Sequence, residues 1–189
     1  MNPCRGDPRS SDSPSLKILA VTAQFPDRRW GSSTGVLGRI ASPFAATRVG
    51  SLVIRKLTPL DRRLLERTAG RYTVLGPIGI PTLLLTTTGR RSGEPRTSPL
   101  LYVHDGDVLY LIGSNFGQAR HPAWTANLLS NPEAVVTLAG ERIPVRAELV
   151  EDDDHKAQIF ARFESITEAY TAYRGRTTRD LRMFALRRS

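Results

Sequence analysis

Cysteine is nearly missing from the chain. Cys4 is the only one among 189 residues, which excludes an intramolecular disulfide framework and a multi-cysteine zinc site. Histidine is scarce as well. His104, His121 and His155 show no ligand-like spacing and no HExxH pair, so no metal is expected. No apolar run approaches the roughly 20 residues of a membrane-spanning helix. The nearest candidate for a leader, Lys17 followed by Ile18–Val21, is too short to act as one, and a cytoplasmic protein is expected. Gly31–Gly35 (GSSTG) matches the GxSxG pattern of a hydrolase elbow. That turn needs a buried strand before it, and the polar, proline-broken FPDRRW stands there instead. Ser33 is not a nucleophile.

Acidic residues are also under-represented, 18 against 27 basic, for a net charge of +9. Seven of these nine excess charges fall in residues 1–70, and the remainder of the chain is almost balanced. A nucleic-acid module usually carries its basic face on its folded part, so no nucleic-acid partner is expected.

Three regions differ in texture. Residues 1–35 are rich in Pro, Ser, Asp, Arg and Gly and read as a disordered or flexible tail. Residues 36–70 carry helical spacing with arginines interspersed, as an amphipathic segment. Breaks are predicted at Pro43 and Gly50, and a separate helix, Leu60–Thr68, is predicted after Pro59. From residue 71 to 189 the apolar period becomes two. Strands are predicted at Thr82–Thr88, Arg96–Val103, Val108–Ser114, Ala134–Leu138, Ile143–Val150 and Asp180–Leu186, with helices at Pro122–Ser130 and His155–Tyr173. Antiparallel hairpins with one helical crossover indicate a mainly β, α+β fold closed into a small barrel.

Two loops carry chemistry. Gly89–Gly93 (GRRSG) places Arg90, Arg91 and Ser92 between two glycines, with Arg96 and Ser98 on one face of the next strand. Turn amides and arginines together suit phosphate or carboxylate groups, although a solvated hairpin turn accounts for the same residues. The Walker and GxGxxG spacings are both missing. Gly113–Gly117 (GSNFG), followed by QARHPAW, sets Ser114, Asn115, Phe116 and Trp124 near the start of a helix. Such a start can hold an anion, and an aromatic can border a ring system; a connecting loop with Trp124 in the core is the plainer reading. Tyr170 and Tyr173, three apart, share a helical face.

In combination, LLLTTTGRRSGEPRTSPLLYVHDGD (Leu83–Asp107) and GSNFGQARHPAWTANLLSNPE (Gly113–Glu133), in this order, resemble the deazaflavin-dependent nitroreductase family. Its members use coenzyme F420 on a split β-barrel of the antiparallel, FMN-binding-like kind. The likeness runs from about Leu60 to the C-terminus. It implies that Arg90, Arg91 and Ser92, with Arg96, Thr97, Ser98, Pro99, Leu100 and Leu101, line the groove for the cofactor's phosphate and glutamyl tail. It places Ile112, Gly113, Ser114 and Asn115 beside the deazaflavin ring, and Ala123, Trp124, Thr125, Ala126 and Asn127 around the pocket. Tyr170 and Tyr173 fall where the family sets aromatic side chains over ring and substrate.

The expected activity is hydride transfer from reduced F420 to an electron-poor acceptor such as a quinone, nitroaromatic or enone. Ser114, Tyr170 and Tyr173 are the expected catalytic side chains. Leu101, Asn115 and Thr167 stand where nitro-reducing members carry tyrosine, lysine and tyrosine, which puts nitro preference in question. An FMN- or haem-binding barrel and a non-enzymatic anion-binding module remain as alternatives. The arginine-rich N-terminal segment is expected either to meet the inner face of the membrane peripherally or to pack on the barrel, in a monomer or homodimer.

Overall fold

A computed structural model of the chain describes residues 25–26, 47–69, 71–72 and 80–189. Helix α1 spans Arg48–Arg67 and precedes strands β1 (Thr82–Thr88), β2 (Pro95–Leu101), β3 (Val103–Asp105) and β4 (Val108–Ile112). A 3-10 turn at Asn115–Gly117 leads to α2 (Ala123–Ser130). Strands β5 (Glu133–Leu138) and β6 (Glu141–Leu149), helices α3 (Asp153–Ile166) and α4 (Ala169–Arg174) and strand β7 (Met183–Arg188) complete the order.

The seven strands form one sheet in the order β2-β1-β5-β6-β7-β4-β3, every pairing antiparallel. Strands β2 and β3 lie at its opposite ends, yet only Tyr102 separates them in sequence. One residue cannot cross a flat seven-stranded sheet, because strands stand ~4.8 Å apart. The sheet therefore curls to bring its ends together, as an antiparallel half-barrel, where the hairpin pattern predicted a small barrel.

Alternation in β4 and β7 sorts the core into two parts. Leu109 and Leu111 of β4, with Phe184 and Leu186 of β7, point into the barrel beside Leu83, Leu85, Val136, Val145 and Trp124. Val108, Tyr110 and Ile112, with Met183 and Ala185, point the other way, onto Ile159, Phe160 and Phe163 of α3 and Ala169, Tyr170 and Tyr173 of α4. With both faces covered, VLYLI reads as a continuous apolar run and all five residues are buried.

Strand β1 coincides with its predicted range. The strand predicted at Arg96–Val103 breaks at Tyr102 into β2 and β3, other strand ends shift by one or two residues, and three larger changes stand out. Helix α1 continues through Gly50 and Pro59 where breaks were predicted. Pro59 is exposed, so the carbonyl it leaves without a donor can be met by water. The single helix predicted at His155–Tyr173 is two, because Thr167 adopts extended geometry (φ −158°, ψ 132°) after α3. The predicted last strand starts at Met183, three residues late. At its other end α3 is capped as the acidic run implies: Asp152 Oδ1 accepts from the His155 amide at 2.7 Å, with Asp153 and Asp154 in the first turn.

The predicted break at Pro43 lies outside the described residues, as does most of the predicted tail. Phe25, from that tail, is 3% exposed in the barrel core, its ring edge-on to His104 and beneath the Arg188 guanidinium.

Candidate functional site

The GRRSG turn is a closed hairpin. Gly93 N–H donates to the Gly89 carbonyl at 2.7 Å, and Gly89 N–H to the Glu94 carbonyl at 2.8 Å. Gly93 sits at φ +70°, a conformation glycine adopts without strain. Arg90, Arg91, Ser92 and Arg96 are exposed, and Thr97 to Leu101 half-buried along β2, an end strand of the sheet. Among the described residues no ion pair engages Arg90, Arg91 or Arg96, whereas Arg62, Arg146, Lys156, Arg162 and Arg187 each have a carboxylate partner.

Asn127 of α2 ties this turn to the barrel. Its Oδ1 accepts from the Arg90 amide at 3.1 Å, and its Nδ2 donates to the buried Thr87 Oγ1 at 3.0 Å. Its amide is thus engaged within the protein. Thr125, wholly buried, donates to the Pro122 carbonyl at 2.9 Å, and Trp124 packs on Phe184 inside the barrel with ring centroids 5.6 Å apart. Ala123 is exposed and Ala126 half-buried. Of the five α2 residues expected around the pocket, the three largest point into the fold.

The second cluster lies where β4 ends. A Cβ on Gly113 would come within 2.7 Å of Thr125 Cγ2, so glycine is what lets this loop pass close to α2. One helix therefore touches both loops: α2 borders Gly113 through Thr125 and holds the arginine turn through Asn127. Ile112 and Ser114 are buried, and Asn115 half-buried. Tyr170 and Tyr173 are buried at 5% and 7% exposure. They meet edge-on at 5.9 Å, and Tyr173 meets Phe116 at 5.7 Å. Burial pushes the Tyr170 phenol above its ordinary range, with Tyr173 adding to it, while a hydrogen bond from Ser114 pulls the other way. Tyr170 therefore stays a neutral hydroxyl at physiological pH. The structure brings Ser114, Tyr170 and Tyr173 together.

Arg179 carries much of this geometry and has no counterpart among the expected residues. Its Nη2 donates to the Gly113 and Ser114 carbonyls at 2.9 and 2.6 Å, and its Nε to the Gln118 carbonyl at 2.9 Å. Its Nη1 lies 3.0 Å from His121 Nδ1. No spacing signal marks such a residue, since its partners are mostly backbone atoms more than fifty positions earlier.

Guanidinium groups only donate, so this contact needs an unprotonated Nδ1 on His121. Burial holds the His121 imidazole below its ordinary range, with Arg182 and Arg179 adding to that and Asp180 opposing it. The folded chain therefore takes up this proton at lower pH than the unfolded chain. The resulting stability is complete above about pH 6.5 and declines as the pH falls below that value. In His121→Asn, whose amide oxygen can accept the same bond, the urea midpoint should lose less on acidification from pH 7 to pH 5. An unaltered profile would show that His121 does not contribute.

A family model described as F420H(2)-dependent quinone reductase matches residues 56–187. The chain belongs to the F420H(2)-dependent quinone reductase family. It is 33% identical over 138 residues to an F420H(2)-dependent quinone reductase of Mycobacterium tuberculosis (strain H37Rv), covering 70% of this chain and 91% of that one. Among solved structures, an F420-H2 dependent reductase (FDR-A) is 27% identical with a TM-score of 0.51, covering 56% of this chain and 93% of that one. A chain described as a domain-swapped dimer is also 27% identical, with a TM-score of 0.53 and coverages of 68% and 99%.

As a member of this family, the protein is an F420-dependent reductase on a split barrel of the FMN-binding-like kind, with F420H2 as hydride donor. The arginine turn fits such a cofactor. Its cations are exposed and, among the described residues, unclaimed by carboxylates, as a phosphate- and glutamate-bearing tail requires. Among the described residues no group of three His, Cys, Asp or Glu side chains could hold a metal ion.

Proposed function

We propose that this reductase passes hydride from F420H2 to a quinone, and that the two clusters divide the work. Bound F420H2 supplies the hydride. Arg90, Arg91, Ser92 and Arg96 receive the anionic tail, with Thr97, Ser98, Pro99 and Leu100 along β2 lining its groove as far as Leu101 at the acceptor end. Ile112 to Asn115 flank the ring, with Ala123 and Ala126 on the α2 side. Trp124, Thr125 and Asn127 act from within, by fixing α2 and the arginine turn.

The observation that supports quinone chemistry most directly is the pair of neutral hydroxyls on Ser114 and Tyr170, set beside the Phe116–Tyr173 aromatic wall. A carbonyl that accepts hydride gains negative charge on its oxygen. Of the two hydroxyl protons, one is used between the partners, and the other is left to bond that oxygen. Tyr173 and Phe116 keep the acceptor flat. Leu101, apolar and half-buried against the same aromatic cluster, suits a quinone's hydrocarbon substituents better than a polar nitro group. A panel of menaquinone-type, nitroaromatic and enone acceptors tests this reading. Quinone turnover should exceed nitroaromatic turnover by about tenfold in kcat/KM, the scale of one or two lost polar contacts. Equal or greater nitro turnover would refute the quinone assignment.

A lipid-soluble acceptor also gives α1 a role. Val53, Leu57, Leu60 and Leu64 are exposed along one stripe of that helix, while Asp61 and Leu65 are buried. Lys56, Arg62, Arg63 and Arg67 lie along the same helix. An apolar stripe with cations beside it suits an anionic lipid surface, and α1 is not long and apolar enough to cross one. The chain would then work from the cytoplasmic face of the inner membrane. Leu57→Ser with Leu60→Ser, both at exposed positions, should abolish flotation with anionic vesicles and leave turnover of a water-soluble quinone unchanged. Retained flotation would contradict the membrane role. A switch from dimer to monomer would assign the stripe to a second copy of the chain.

A further inference from the structure

We infer that Arg179 is a positioning residue for the reductase reaction, the anchor that sets the Gly113–Gln118 loop against Tyr170 and directs the loop's amides. The inference rests on the reading above that Ile112 to Asn115 flank the deazaflavin ring.

The fork of the guanidinium matches the loop. Three of its nitrogens reach four acceptors: the carbonyls of Gly113, Ser114 and Gln118, and His121 Nδ1. These acceptors lie at both ends of the loop, so the side chain fixes the loop's span as well as one contact. Lysine offers three donors from a single nitrogen and lacks that reach. All four acceptors are neutral. Asp180 acts on Arg179 only through space, and its carboxylate is bonded to Lys156. Among the described residues no carboxylate is bonded to this half-buried cation, so its bonds all go to the loop and to His121.

The consequence for the loop follows from peptide geometry. The described peptide bonds are all trans, so each N–H points opposite to the C=O of its own peptide unit. One nitrogen of Arg179 binds the Gly113 and Ser114 oxygens. The N–H groups of those same two peptide units belong to Ser114 and Asn115, and both are turned away from the guanidinium.

Ser114 is right-handed (φ −66°, ψ −34°), and Asn115 follows at φ 46°. That succession makes neighbouring amides converge into a shallow concavity suited to negative charge. Phe116, also left-handed at φ 57° and ψ 25°, holds a conformation costly for a bulky residue. It persists because the loop is held on several sides. Arg179 grips its carbonyls, Asn115 Nδ2 donates to the Arg120 carbonyl at 2.8 Å, and the Phe116 ring meets Tyr173. Arg179 is the member of this set that reaches both ends.

Arg179→Met and Arg179→Lys test the inference in the full-length protein. In the ligand-free chain, amide hydrogen exchange at Gly117 and Gln118, which donate back to Ser114 and Asn115, should quicken by about tenfold in Arg179→Met, while Leu85 and Leu111 in the barrel stay protected. The kcat with F420H2 and a soluble quinone should fall by about tenfold or more, as expected when reacting groups are misplaced by an ångström. The F420 dissociation constant should stay within about threefold, because the tail is held elsewhere. Arg179→Lys should fall between Arg179→Met and wild type.

Exchange and kcat in Arg179→Met both within about twofold of wild type would overturn the inference while leaving the cofactor reading intact. Uniform loss of protection through the barrel in both variants would show a structural role only and would also overturn it. A wild-type chain that did not bind F420 would overturn the cofactor reading and the inference together.

Discussion

Replacing Arg90 and Arg91 together with alanine should weaken F420 binding by about 10- to 100-fold, the scale of one or two charge-assisted hydrogen bonds partly screened by water. Both side chains are exposed, and among the described residues neither is in an ion pair, so the unfolding free energy should change by no more than about 0.5 kcal/mol. The turn itself survives, because its hydrogen bonds run between backbone groups and from the Arg90 amide to Asn127. Fluorescence titration of F420 at two salt concentrations measures the effect. Wild-type affinity should fall as salt rises, and that of the double variant much less. Unchanged affinity would remove the tail from this turn.

Asn127→Leu should act through the scaffold and harm both stability and binding. The substitution keeps the branched shape and heavy-atom count of the side chain but strips the acceptor from the Arg90 amide and the donor from Thr87 Oγ1. Unsatisfied groups of this kind cost about 1–3 kcal/mol each when buried. Thr87, 1% exposed, loses its only donor partner among the described residues and keeps just the 3.4 Å bond it donates to the Arg96 carbonyl. F420 affinity should fall as well, although the arginines remain, because the turn that presents them is no longer held to α2. Urea unfolding and F420 titration on the same sample separate the two effects. Weaker binding with an unaltered urea midpoint would mean that Asn127 touches the ligand directly and does not act by holding the turn.

The barrel was legible in the sequence where burial is simple. TLLLTTT reads as a strand because Leu83 and Leu85 face the core and β-branched threonines complete the pleat. The arginine turn was legible because its glycines and cations are adjacent in sequence. The split at Thr167 was not, since it involves neither glycine nor proline. The late start of β7 has the same origin as the missed Arg179: Arg179 and Arg182 are occupied in tying down the loop. Arg179 binds Gly113, Ser114 and Gln118 across the loop, and Arg182 lends its carbonyl to the Gly113 amide. Contacts between side chain and distant backbone leave no periodicity to read. Trp124 and Asn127 belong here too. The sequence left Trp124 open between core and pocket and gave no sign of Asn127's bonds; the packing puts the ring in the barrel and the amide on the turn.

The family match supplies F420H2 as the hydride donor, and the proposal gives its tail to the arginine turn and its ring to the Gly113–Gly117 loop. The most direct test is single-turnover mixing of the protein, preloaded with F420H2, against a soluble menaquinone analogue, with FMN-loaded protein alongside. The account predicts saturable binding of F420 in preference to FMN. It also predicts stoichiometric reoxidation of F420H2 as quinol appears, slowed by loss of the Ser114 and Tyr170 hydroxyls. Preferential binding of FMN, or F420H2 that remains reduced in the presence of every quinone, would contradict it.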